Sequence, residues 1–121
     1  MATLNAPATL QIAADFATNY ATSTILILAG ATTLATHSTT SWAATNTGND
    51  GTVTAALANA GAETISASAT ADGATITDGT EVIALTVGLS GSGADLILST
   101  LTYVSGETST INSLVVTVPA A

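Results

Sequence analysis

The sequence predicts an all-β chain, mainly an antiparallel β-sandwich or barrel, with an extended N-terminal arm and one short N-terminal helix. Three observations carry that prediction. Six short runs in the second half are separated by turn-forming residues at intervals of about a dozen positions or less, the spacing of small sandwiches and barrels. Threonine, whose branched Cβ suits a pleated and half-exposed surface, occurs 25 times in 121 residues. Earlier in the chain, Ile25 and Ile27 alternate with Leu26 and Leu28, as a strand buried on both faces would.

Taken in order, residues 1–9 read as the extended arm, because Pro7 fixes its own φ and biases Ala6 away from helix. Residues 10–121 then form one domain. Leu10, Ala13, Phe16, Ala17 and Tyr20 fall at helical spacing, which predicts a short amphipathic helix over about 10–20. A strand follows over 22–29, Gly30 and Ala31 turn the chain, and residues 32–37 return as the hairpin partner. Trp42 lies in a polar stretch, and the run from Asn46 to Gly51 is dense in turn formers and reads as a surface loop. The later strands are read at 52–57, 64–69, 74–77, 81–88, 95–101 and 110–118. Their separators include Ala60-Gly61, Asp72-Gly73, Asp78-Gly79 and Ser105-Gly106, and Pro119 ends the last strand.

Composition limits the function classes. There is no lysine or arginine, eight acidic residues give a formal charge of −8, and there is no cysteine. Nucleic-acid binding needs cations that displace counterions from phosphate, and anionic membrane surfaces need them too, so neither partner is expected. Phosphoryl transfer would lack its cationic clamp, and no thiolate can act as nucleophile or metal ligand. The start carries no basic leader and the longest strongly apolar run, residues 25–31, is too short for a bilayer, so synthesis in the cytoplasm is expected. Leu, Ile, Val and Phe together number 28, a thin core that favours help from partner subunits.

The stretch Leu85-Thr-Val-Gly88, Ser92-Gly-Ala-Asp-Leu96, Leu98, Gly106-Glu-Thr108, Ile111, Ser113 and Val116-Thr-Val-Pro-Ala120 resembles a family of small virion proteins of tailed bacteriophages. The early hairpin, Thr24-Ile-Leu-Ile-Leu28 with Ala35-Thr36, is similar to that family's as well. Two departures are an extra residue within Gly88–Ser92 and the loss of scattered basic residues. The resemblance implies a non-enzymatic structural role in a virion, with capsid decoration or cementing of the outer shell surface as the leading expectation. Partners would be the major capsid protein and sister subunits, with a trimer expected. The alternative is a tail tube or fibre component, or a surface-filament subunit that assembles by strand addition.

Candidate sites are few. His37 is the only histidine, and no G-x-S-x-G pattern accompanies it, so an exposed or half-buried structural histidine is expected. Calcium is the best chemical alternative. Asn46 and Asp50 imitate the first half of an EF-hand loop, but its twelfth position is Leu57; Asp72, Asp78 and Glu81 lie in successive turns that could meet at one end of a sandwich. Plain Asp-Gly turns are the stronger reading, and no cofactor is expected. Gly88 to Gly93 lacks the following lysine of a phosphate loop and reads as a connector. Trp42 and Tyr103 either plug the core or anchor an interface, and the interface is expected to draw on Leu4, Pro7, Leu10, Phe16, Tyr20, Trp42 and Tyr103.

Overall fold

The computed structural model describes residues 3–79 and 82–118. The chain is mostly β with a single N-terminal α-helix, and its main sheet curls into a nearly closed, barrel-like wall. Helix α1 spans Ala6–Asn19, followed by β1 (Thr24–Ala29), β2 (Thr32–Thr47), β3 (Asp50–Leu57) and β4 (Ala62–Thr64). Then come β5 (Ala69–Thr70), β6 (Gly73–Thr77), β7 (Val82–Leu85), β8 (Val87–Gly88), β9 (Leu96–Leu98), β10 (Thr102–Tyr103) and β11 (Thr108–Val118). Glu81, Pro119 and the first two residues of the expected arm lie outside the described residues. Among those described, no helix is long and apolar enough to cross a membrane.

The helix begins four residues earlier than its apolar spacing suggests, which corrects the extended arm over residues 6–9. Asn5 is the reason: its side chain accepts the Ala8 N–H at 3.1 Å and so caps the first turn. Pro7 sits in that turn, where its missing N–H is not needed and its fixed φ is already helical. The buried stripe runs through Ala13, Phe16, Ala17 and Tyr20 as its spacing predicts, but at its first position Thr9 takes the place of Leu10. Thr9 and Ala13 are fully buried, whereas Leu10 is 37% exposed. Thr9 is acceptable inside because its hydroxyl donates to the Asn49 carbonyl at 2.6 Å and accepts from the Asn46 amide at 3.2 Å.

Sheet order is β7-β6-β1-β2-β3-β11-β9-β8, with β4 also paired to β11. The pairings are antiparallel except for β8 with β9. The two ends of this order, β7 and β8, are consecutive in the chain and joined by Thr86 alone. At that corner the Asp95 carboxylate accepts the Thr86 N–H at 3.1 Å and its hydroxyl at 3.2 Å. The Asp95 N–H donates back to the Thr86 Oγ1 at 2.9 Å, and the Leu96 N–H donates to the Thr86 carbonyl. One bent strand therefore pairs with β6 before the corner and with β9 after it, which brings the two ends of the wall together. A separate ribbon of β5 and β10 completes the β structure.

β2 runs ten residues beyond His37, so Trp42 and most of the expected loop at 46–51 belong to a long β2–β3 hairpin. Its turn is only Gly48-Asn49, with Gly48 at φ +61°. Thr45 and Thr52 pair across its outer face, their hydroxyls 2.8 Å apart, which is why the segment looks polar in sequence. Three register shifts set which side chains point inward. Leu34, Thr40 and Asn112 are each the extra residue at an irregularity in the pairing. With Thr40 inserted, Thr39 and Trp42 are both buried, where strict alternation would have turned the indole outward.

The helix lies over β2, β3 and part of β11. Close approach is possible because Gly51 has no side chain: a Cβ there would sit 2.5 Å from the Thr9 carbonyl oxygen. Phe16 stacks on Tyr20 with centroids 4.5 Å apart and meets the Trp42 ring edge-on at 5.0 Å. The Trp42 indole N–H donates to the Tyr20 carbonyl at 2.7 Å. Beyond this aromatic cluster, Ile25, Ile27, Leu34, Ile76, Leu96, Leu98 and Leu114 fill the interior.

Candidate functional site

His37 is buried, 1% exposed, which corrects the exposed or half-buried placement. It points inward from β2, with Ile25 as its register partner on β1. Its Nε2 lies 2.9 Å from the Ser109 Oγ, and that oxygen lies 2.7 Å from the Tyr103 phenol. Ser109 is fully buried and Tyr103 is 2% exposed. The remaining ring nitrogen, His37 Nδ1, is buried without a hydrogen-bond partner. Burial pushes the His37 pKa below its ordinary value of 6.5, partly offset by the charge of Glu63. Burial likewise raises the Tyr103 pKa, and the bond to Ser109 lowers it in part.

Ser109 and His37 thus share the short contact of a nucleophile and its base, yet the arrangement does not suit acyl transfer. No carboxylate orients Nδ1, the phenol already occupies the serine hydroxyl, and the hydroxyl itself is sealed from solvent. Alternation along β11 puts Ser109 on the same face as Ile111, but nothing local ties it to a histidine 72 positions away.

The described acidic candidates do not converge. Asp72 precedes β6 and Asp78 follows it, so a five-residue strand holds them roughly 20 Å apart, which overturns for these two the calcium alternative in which their turns meet at one end. Asp72 instead accepts the Gly30 N–H on both carboxylate oxygens, each at 3.1 Å, and fastens the β1–β2 turn. Asp50 opens β3 in the long hairpin, and its neighbour Asn46 donates to the Ala6 and Asp50 carbonyls and to Thr9. That amide tethers the helix start to the hairpin. Among the described residues, no three His, Asp or Glu side chains gather as a metal ion would require, and no pocket opens.

The expected interface residues divide. Tyr20, Trp42 and Tyr103 are buried within the chain, 4%, 9% and 2% exposed, because they build its own core; as surface anchors they are corrected. Phe16 is half-buried against that core and Leu4 is half-buried, whereas Pro7 and Leu10 are exposed. The structure adds Ile12, 45% exposed. At 100° per residue, Leu10 and Ile12 flank the buried Thr9–Ala13 stripe on opposite sides. Among the described residues, Val82, Leu89 and Val104 are the other large exposed apolar side chains.

Comparison with protein-family models, with curated proteins and with solved structures gives no match.

Proposed function

We propose that the chain is a non-enzymatic structural protein of a phage virion, a decoration or cement protein that binds the outer capsid surface and stabilises it. One observation supports this reading above the others: several residues that carry the C-terminal resemblance, among them Gly88, Ser92 and Asp95, shape the closure of the wall. Asp95 fastens the Thr86 corner, and Gly88 packs so tightly on Ser92 that a Cβ would lie 2.2 Å from its hydroxyl. Leu96, Leu98 and Ile111 are core residues, and Gly106 turns the chain at φ +90°.

On this reading the curled sheet is the small antiparallel barrel of a shell-binding module. The exposed flanks of α1, with Leu10 and Ile12, meet the major capsid protein, and sister subunits assemble as a trimer. A protein that binds only the assembled shell raises its stability by mass action. The second reading, a tail component or a filament subunit growing by strand addition, is favoured by one feature: β7 ends the strand order, and its Val82 is 67% exposed.

Purified protein should co-sediment with pre-formed shells and raise their rupture temperature. The double variant Leu10→Gln/Ile12→Gln should fold with stability within about 0.5 kcal/mol of the parent yet bind on the order of tenfold or more weakly. Failure of the parent protein to bind shells, or self-polymerisation in its place, would sink the proposal.

A further inference from the structure

We propose that the buried His37–Ser109–Tyr103 chain is an acid-sensitive lock that holds the β5–β10 ribbon on the barrel wall and lets it open when His37 takes up a proton. The three side chains come from three strands: His37 belongs to β2, Ser109 to β11 and Tyr103 to β10. The ribbon itself is slight, pairing only Thr102 with Thr70 and Tyr103 with Ala69. It is extended by the Ala71 N–H on the Leu101 carbonyl, and Gly106 N–H reaches back to the Ile65 carbonyl. The Tyr103 phenol, bonded to Ser109, carries a side-chain tether from this ribbon into the wall.

The histidine sits neutral in that interior. With Nε2 on Ser109, the unpartnered Nδ1 is most cheaply a bare lone pair, because a buried N–H without an acceptor costs more. Acid adds a proton at Nδ1 and creates a buried cation with no acceptor. Among the described residues, few charges face it. β1 and β11 carry no ionisable side chain; β4 brings Glu63, whose carboxylate accepts the Asn59 amide at 2.9 Å; and β10 brings Tyr103. Glu107, just ahead of β11, is exposed. On the remaining neighbours of β2, Asp15 of α1 is exposed and Asp50 of β3 pairs with Thr47, ten residues along β2 from His37. None of these carboxylates is hydrogen-bonded to the ring, so relief comes from opening the ribbon and admitting water.

The direction of the pH effect follows from linkage. The folded chain binds this proton less readily than the unfolded one, so the lock is fully effective above 6.5 and weakens as pH falls below it. With one histidine and no cysteine, no other side chain ordinarily titrates between pH 5 and 8.

Native-state hydrogen exchange at pH 7.5 and 5.5, corrected for intrinsic rates, reads the lock directly. Protection of the Ala71 and Gly106 amides should fall by up to about tenfold per pH unit below 6.5, while Tyr20 and Val115, bonded to Phe16 and Asp95, hold theirs. His37→Gln should abolish the dependence. Unchanged protection in the parent, or an undiminished fall in the variant, would overturn the proposal. Should the variant not fold, NMR titration of the parent imidazole decides: a midpoint below 6.5 supports the lock, and one at or above 6.5 refutes it.

Discussion

Gly51→Ala is expected to cost about 3 kcal/mol, at the upper end of overpacking penalties, and to displace α1 from the sheet. The added methyl would lie 2.5 Å from the Thr9 carbonyl oxygen, 2.9 Å from its carbonyl carbon and 3.2 Å from the Ala13 Cβ. Two of these three atoms are helix backbone, so no side-chain rotation relieves the clash. Gly51 does not use a left-handed φ, so the penalty is one of space and not of conformation. A domain of this size is stable by roughly 6–18 kcal/mol, so the variant should still fold but with its helix displaced. Urea unfolding followed by Trp42 emission checks this, since Trp42 is the only tryptophan and lies beneath Phe16. An unchanged midpoint with an unshifted native spectrum would contradict the docking of α1 on β3.

Trp42→Ala is expected to be costlier still, about 3–5 kcal/mol, because it removes the largest ring of the core and leaves a cavity between helix and sheet. Trp42→Phe separates the contributions. It keeps a ring against Phe16 but removes the indole N–H from the Tyr20 carbonyl, leaving that oxygen a long contact of 3.4 Å from the Thr39 hydroxyl. The cost should be about 1–2 kcal/mol. Calorimetric unfolding of both variants checks the pair. Equal losses would mean that the hydrogen bond, not the packing, holds the helix.

Much of the β architecture was legible because it rests on local chemistry. Turn formers mark most strand ends, threonine marks the outward positions, and Gly30 turns the β1–β2 hairpin where expected, at φ +59°. What escaped depended on events without a local signature. A bulge adds one residue of any kind, so the phase of β2 at Trp42 could not be read from alternation. In β11 the same effect at Asn112 places Ile111 and Leu114 inside together, although strict alternation assigns them to opposite faces. The helix start is hidden by Pro7, whose local preference is extended; only the Asn5 cap makes it part of a first helical turn. The buried histidine was illegible because its partners, Ser109 and Tyr103, come from strands far along the chain.

The absence of basic residues acquires a positional meaning under the proposed function. A chain of charge −8 without lysine or arginine is repelled by packaged nucleic acid and suits the outside of a shell. Its contacts there rest on apolar burial and on backbone and threonine hydrogen bonds, and any interfacial ion pair takes its cation from the partner.

Electron cryomicroscopy of shells lacking the protein, before and after incubation with it, tests this most directly. Added β-rich density is expected on the outer surface, with the exposed flanks of α1 against the capsid protein. Shells without added density, or with density confined to the tail or the inner face, would contradict it.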